Sequence, residues 1–182
     1  MKIILVRHGE SLANKLHLVT GDNQTDLTET GINQAIQLKD IVEELKFNFP
    51  GIVFHSSIAL RAIKTASLAG VNPNTLNTSK EINETDAGTA KNWKLSDFNN
   101  AYPSFFADFD LNKKYPQGES HQEMIDRSLS FLTSLLKGSC DCHMIFAHGG
   151  PINAILHYAN NTSMSHFPAF QVANCQVIEL NL

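Results

Sequence analysis

Residues 1–14 read MKIILVRHGESLAN, in which four consecutive aliphatic residues, 3–6, stop abruptly at Arg7-His8-Gly9. A short apolar run with polar ends is typical of a strand buried in a parallel sheet. A second run, residues 143–147, ends in nearly the same way at His148-Gly149-Gly150. Because ligands of open parallel sheets bind beyond the carboxyl ends of the strands, we expect both histidines at one crevice if the two strands are neighbours.

The rest of the chain alternates helix and strand signals. Apolar residues recur at helical spacing over 28–45, and residues 51–55 form another apolar run. Residues 58–69 and 125–136 again suit helices, and the β-rich run 172–182 suits a sheet edge. This order predicts an α/β fold, a three-layer sandwich with a mostly parallel central sheet.

Between residues 91 and 117 the pattern breaks. Seven aromatic residues are scattered there without a period: Trp93, Phe98, Tyr102, Phe105, Phe106, Phe109 and Tyr115. Long irregular segments are often active-site lids, but such rings also form satellite hydrophobic clusters, and the two interpretations are compatible. We expect a single domain, residues 1–182, with an aromatic-rich excursion over its site.

Composition excludes several classes of protein. Hydrophobic residues make up 42% and charged residues 18%, which predicts a soluble globular chain, and the formal net charge of −4 offers no basic field to nucleic acid. The N-terminal apolar run is too short for a signal peptide or a membrane span. Three cysteines do not suggest a disulfide framework. We therefore expect a cytoplasmic protein with no membrane or nucleic-acid partner; the sequence carries no signal for an oligomeric state.

The segment Cys140-Asp141-Cys142-His143 raises the question of a metal site. A structural zinc usually needs four ligands in two spaced pairs, and the sequence has no second pair. We expect thiols at a loop-to-strand junction, with no metal and no cofactor.

The positive groups near the two strand ends suit an anion. A guanidinium such as that of Arg7 matches phosphoryl oxygens with paired hydrogen bonds. Arg61 adds a second guanidinium from the predicted helix that follows the apolar run 51–55. Asn14 and Thr20-Gly21 can add neutral donors. A glycine after each histidine would let backbone N–H groups approach a ligand closely. These features predict a phosphoryl-binding site.

Ordered blocks of residues run through nearly the whole chain: Arg7-His8-Gly9-Glu10-Ser11 with Asn14, residues 21–35, residues 56–66, Ile82-Asn83-Glu84 with Gly88, residues 116–120 with Arg127, and His148-Gly149-Gly150. In this order they resemble the histidine phosphatase superfamily, the phosphoglycerate mutase-like phosphatases, in its small phosphatase branch. Two positions depart from that pattern. Thr89-Ala90 stands in place of a tryptophan–glutamate–glycine string, and Asn153 stands where an arginine is frequent.

The resemblance implies a phosphatase mechanism. His8 would attack phosphorus and become a phosphohistidine, which water then hydrolyses. Arg7, Arg61 and His148 would hold the phosphoryl oxygens and stabilise the charge of the transition state without a metal. Glu84 would protonate the departing alkoxide and then activate the water.

Further roles follow from the same resemblance. Asn14 and the backbone N–H of Gly149 would contact the phosphate. Glu81 is an alternative acid, although the spacing to Gly88 favours Glu84. Glu119 matches the pattern as well, and we expect it to orient an arginine or a helix N-terminus.

Alternatives to hydrolysis remain. A phosphoglycerate mutase-type phosphoryl transfer is one, although such enzymes are typically longer. A non-catalytic phosphate-binding module and a protein phosphatase acting on phosphohistidine are others. We expect a small-molecule phosphate ester as substrate, with a partly apolar leaving group if Trp93, Phe105 or Phe106 line the pocket.

Overall fold

The computed structural model describes residues 1–107 and 110–182, with the side chain of Ala107 left out. The strands are β1 (Lys2–Arg7), β2 (Val53–Ser57), β3 (Leu76–Ser79), β4 (Cys142–Ala147) and β5 (Val177–Asn181). The helices are α1 (Leu12–Lys15), α2 (Glu29–Ile36), α3 (Lys39–Asn48), α4 (Leu60–Leu68), α5 (Leu95–Ala101), α6 (Ser104–Ala107), α7 (His121–Leu136) and α8 (Gly149–Ala159). Short 3₁₀ turns lie at Pro73–Thr75, Lys80–Ile82, Gly88–Ala90 and Met164–His166.

The five strands form one sheet in the order β3-β2-β4-β1-β5. All neighbouring pairs are parallel except β1 and β5, which are antiparallel. The two apolar runs that end in histidine are direct neighbours, with Arg7 paired to Ala147. The predicted mostly parallel α/β sheet is therefore confirmed, and β5 lies at an edge as expected.

Both faces of β1 are covered, which explains its uninterrupted apolar run. Ile4 and Val6 pack on one face in a core that includes Leu38, Val42, Leu45 and Ala66 of the α2–α4 layer. Ile3 and Leu5 pack on the other face in a core that includes Leu132, Ile152 and Ile155 of α7 and α8. Alternate residues of a strand point to opposite faces, so this split produces the three-layer sandwich.

Helix boundaries differ from the predictions in two places. The single helix expected over 28–45 is two helices, because the Leu38 N–H bonds to Ala35 O in a tighter turn that places Leu38 in the core. Helix α7 begins before residue 125, since Ser120 and Glu123 cap its start reciprocally.

The excursion at 91–117 forms a satellite cluster. Phe98, Phe105 and Tyr115 are buried together with Val19, Ala87 and Ala90. Trp93 and Phe106 are each 40% exposed, and Phe109 lies outside the described residues. Within residues 1–107 and 110–182, every helix falls short of the length and apolar content that crossing a bilayer requires.

Candidate active site

The ends of β1 and β4 bring His8 and His148 together. Their ring centroids are 5.0 Å apart and the rings are inclined by 62°. Both side chains are buried, with 4% and 1% of their surface exposed. The expected convergence of the two histidines is therefore what the parallel pairing of β1 and β4 produces.

Arg61 connects the two imidazoles. It lies in the first turn of α4, directly after the β2 strand end, and is only 2% exposed. Its Nε donates to His8 Nε2 at 3.2 Å, and its Nη2 donates to His148 Nδ1 at 3.2 Å. The remaining nitrogen, Nη1, donates to the carbonyl of Asp22 at 2.6 Å. One guanidinium thus lies between both rings.

These contacts fix the protonation of each ring, because a guanidinium can only donate. His8 Nε2 accepts from Arg61, and its Nδ1 donates to Gly9 O at 2.7 Å. His148 accepts at Nδ1, so its Nε2 donates to Ser57 Oγ at 2.7 Å. Burial, followed by the positive charge of Arg61, lowers the pKa of His8 to about 3, and the same causes lower the pKa of His148 well below its usual value. Both imidazoles are neutral.

Arg7 supplies a second guanidinium. Its Nη1 donates to the carbonyl of Val172 at 2.6 Å, while its buried Nε has no partner among the described residues. Burial lowers the pKa of Arg7 and the charge of Glu84 opposes that shift. A buried guanidinium N–H without an acceptor is costly, so an oxyanion beside Arg7 would be strongly favoured.

Glu84 lies at the N-terminus of α8. Its Oε2 accepts from the Gly150 N–H at 3.2 Å, and its Oε1 accepts from the Thr85 N–H at 3.0 Å. A Cβ built on Gly150 would lie 2.3 Å from Glu84 Oε1, so only glycine allows this approach. Gly150, which is not among the site residues predicted from the sequence, holds the carboxylate in place. Glu81 is exposed and lies outside the cavity.

Arg127 forms hydrogen bonds that hold the loop at residues 80–84, which carries Glu84. Its guanidinium donates to four backbone carbonyls of that loop, those of Lys80, Glu81, Asn83 and Glu84. It also pairs with both carboxylate oxygens of Glu119, which in turn accepts the Asp86 N–H at 2.8 Å. The expectation that Glu119 orients an arginine is confirmed.

Comparison with known proteins places the chain in a family. The sequence profile described as "Histidine phosphatase superfamily (branch 1)" matches residues 3–182. The chain belongs to the histidine phosphatase superfamily. Among curated relatives, the 2,3-bisphosphoglycerate-dependent phosphoglycerate mutase of Streptococcus pyogenes serotype M5 (strain Manfredo) is 35% identical over 97 residues. That match covers 53% of this chain and 37% of the mutase, so the similarity spans little more than a third of the relative's length.

Solved structures show the same histidine phosphatase fold. The mycobacterial glucosyl-3-phosphoglycerate phosphatase, in complex with VO3, has a TM-score of 0.84 at 20% identity, covering 99% of this chain and 92% of its own. TTHB049 from Thermus thermophilus has a TM-score of 0.75 at 28% identity, covering 98% of this chain and 92% of its own.

Two predicted contacts differ from expectation, and a third stays a prediction. The prediction that Gly9 opens its N–H to a ligand is wrong, because that N–H donates to Thr65 Oγ1 at 3.0 Å and the Gly31 carbonyl occupies the space of a Cβ. Asn14 Oδ1 accepts from Ser11 in the cap of α1, and the contact of the Asn14 amide N–H with phosphate stays a prediction. Gly21 packs against Thr85 rather than on the cavity.

We call Arg7, His8, Arg61 and His148 together the cradle. A cavity of about 690 Å³ adjoins it. Arg7, Thr20, Glu84 and Gly149 line it, as the sequence predicted for a substrate site. Trp93, Phe105 and Phe106 do not line it, so the expectation of a site covered by the whole excursion is corrected: Tyr115 is its contribution to the wall. Much of the remaining wall comes from residues within 167–176, a late loop that carries no motif and that sequence reasoning missed.

Proposed function

We propose that this protein is a metal-independent phosphomonoester hydrolase that acts on a small organic phosphate through a phosphohistidine at residue 8. One observation carries the proposal: His8 Nδ1 bonds to Gly9 O and His8 Nε2 lies against the Arg61 Nε donor, an arrangement that requires a neutral ring with its lone pair on Nε2. An imidazole in this state is a nucleophile, and the cation beside it attracts the anion to be attacked.

In the first step His8 Nε2 attacks phosphorus in line and the bond from phosphorus to the ester oxygen breaks. The hydrogen bond from Arg61 Nε to His8 gives way, so Arg61 donates to phosphoryl oxygens instead. Arg7 donates from the other side, because its Nε lacks a partner among the described residues. Both guanidinium groups stabilise the charge that spreads over the equatorial oxygens.

His148 contributes by changing its protonation. A phosphate dianion offsets the charge of Arg61 and favours the imidazolium form of His148, which takes up one proton from solvent as the dianion binds. That form donates from both nitrogens, from Nε2 to Ser57 and from Nδ1 to a phosphoryl oxygen. His148 Nδ1, which accepts from Arg61 in the neutral ring, thus becomes a donor when the anion binds.

Glu84 acts as the general acid of the first step and as the general base of the second. In the first step its carboxyl proton passes to the departing alkoxide, which leaves as an alcohol. In the second step the carboxylate takes a proton from water, water oxygen bonds to phosphorus, and the bond between phosphorus and His8 breaks. The Gly150 and Thr85 N–H groups hold the carboxylate at the cavity for both transfers.

The similarity to phosphoglycerate mutases supports a second candidate, phosphoryl transfer between positions of a phosphoglycerate. Such transfer requires that water be kept from the phosphoenzyme. Gln171, Ala173 and Gln176 of the cavity wall are exposed, so solvent reaches this cavity. Hydrolysis is therefore the function that the geometry favours.

A panel of phosphomonoesters, assayed for phosphate release with and without a chelator, tests the proposal. We expect chelator-resistant hydrolysis that is abolished in His8→Ala and retained in His166→Ala, a matched change at an exposed histidine. Activity that strictly requires added divalent ions would contradict it. Isomerisation of 3-phosphoglycerate without phosphate release would instead favour the mutase.

A further inference from the structure

The cavity beside the phosphate cradle has a wall of rings. Tyr115, His121 and Phe167 follow one another with centroids 5.9 Å apart at each step. Buried His157 then contacts Phe167 and Phe170, with centroids 6.0 and 5.1 Å away. Four of these side chains line the cavity, and we call them the ring wall: Tyr115, His121, Phe167 and Phe170.

The ring wall is held at a fixed place relative to the cradle. Asn153 donates to the carbonyl of Phe170 and accepts its N–H, both at 2.9 Å. Arg7 donates to the carbonyl of Val172, and Asn174 donates to the carbonyl of His8 at 2.8 Å. The loop is thereby tied to the strand end that carries the nucleophile. A group attached to the transferred phosphorus therefore enters a cavity that these rings line.

The charges at the cavity disfavour an anionic leaving group. Among the described residues that line it, Arg7 is the one arginine or lysine, and it belongs to the cradle. Glu84, the acid of the proposed first step, supplies no positive charge to the cavity in either of its protonation states. Burial lowers the pKa of His121, which favours its neutral form. Asn153 is neutral, and its amide is committed to Phe170 and Gly149.

We infer that the substrate is the phosphate monoester of an uncharged alcohol that carries an aromatic or heteroaromatic ring. This inference rests on the proposed function and narrows it. Flat rings pack favourably on the edges and faces of other rings, whereas a second phosphate or a carboxylate would lose water in a cavity that offers it no cation of its own. Phosphoglycerates and bisphosphates are poor substrates on this account.

Three substrates with similar alkyl leaving oxygens test the inference: benzyl phosphate, 4-carboxybenzyl phosphate and ethyl phosphate. We expect kcat/KM for benzyl phosphate to exceed both others by about tenfold or more, because the ring is buried and the carboxylate loses water without gaining a cation. Equal values for benzyl and ethyl phosphate, or a preference for the carboxylate, would overturn the inference.

Phe170→Ala should reduce the benzyl-to-ethyl ratio, whereas Phe47→Ala, at a phenylalanine that is 85% exposed, should leave the ratio at its wild-type value. An unchanged ratio in Phe170→Ala would count against the ring wall. If that variant does not fold, competitive inhibition of the wild type by benzylphosphonate and ethylphosphonate gives the same comparison, with benzylphosphonate expected to bind about tenfold more tightly.

p-Nitrophenyl phosphate separates the two levels of the proposal. Hydrolysis of this ester that depends on His8, combined with no preference for benzyl phosphate, overturns the substrate class and leaves the proposed function intact. No hydrolysis of any of the four esters overturns the proposed function, and the substrate class with it.

Discussion

Replacing Arg127 with lysine tests whether the loop that carries Glu84 is positioned by this one guanidinium. Arg127 makes six hydrogen bonds, two to Glu119 and four to backbone carbonyls of residues 80, 81, 83 and 84. An ammonium has three N–H donors against the five of a guanidinium, so at least two bonds are lost even though the charge remains. At about 1 kcal/mol net for each bond, the free energy of unfolding should fall by about 2 kcal/mol.

The catalytic effect should depend on the leaving group. A displaced Glu84 protonates an alkoxide poorly, and a general acid contributes about 10²–10⁴-fold, so we expect kcat/KM for an alkyl phosphate to fall by about 10- to 100-fold. p-Nitrophenolate leaves without a proton, so its ester should lose less than about threefold. The assay is steady-state kcat/KM, which reports steps up to the first phosphoryl transfer, at a temperature where urea titration shows the variant folded.

A matched control is Lys114→Met. Lys114 pairs with Glu123 near the start of the same helix, but the two side chains are 59% and 46% exposed. Such a pair contributes at most about 1 kcal/mol, and neither ester should be affected. Equal losses on alkyl and aryl esters in Arg127→Lys would refute the positioning role, because a general loss of structure lowers both alike.

Three further outcomes are expected. Glu84→Gln should lower kcat/KM for alkyl phosphates by about 10²–10⁴-fold and for aryl phosphates far less, and equal losses would count against its acid role. Gly150→Ala should reproduce that pattern in the same assay, because its Cβ would displace the Glu84 carboxylate. The control Gly51→Ala, where no atom lies within 4 Å of the added Cβ, should leave kcat/KM for both kinds of ester unchanged. Stability should decrease in acid. Burial lowers the pKa of His8 to about 3 and that of His55, which bonds His143 at 3.0 Å, to about 4. The unfolded chain, with histidine pKa near 6.5, binds more protons below that pH, so each residue should remove about 2 kcal/mol from the unfolding free energy between pH 7 and pH 5. Urea titrations at both pH values would show this, and a constant or rising free energy toward pH 5 would contradict it.

The parts of the fold that were predictable have a period or a buried run. β1 and β4 are apolar on both faces, and α7 repeats its apolar residues at helical spacing. β3, Leu76–Ser79, was not predicted because three of its four residues are polar. α8 was not predicted because residues 151–157 are buried throughout, so the helix lacks the polar face that reveals a helical period.

Some features of the candidate site could also be predicted from the sequence, and others could not. The convergence of His8 and His148 could be predicted from two similar strand ends. The contribution of Arg61 could be predicted from its place in the helix directly after β2. The bonds from Arg127 to loop carbonyls depend on where the backbone runs, which side-chain identities do not encode. Phe167 and Phe170 resemble ordinary loop residues in the sequence, and hydrogen bonds such as those of Asn153 to Phe170 bring their loop to the cavity.

A direct search for phosphohistidine tests the central claim. With p-nitrophenyl phosphate, Glu84→Gln should complete the first transfer without its acid and then stall, because no base activates water. The phosphoenzyme should therefore accumulate and survive a quench in alkali for peptide mass spectrometry. The account predicts one phosphoryl group, on His8, together with a burst of p-nitrophenolate. A phosphoryl group on another residue, or turnover without any phosphoenzyme, would contradict it.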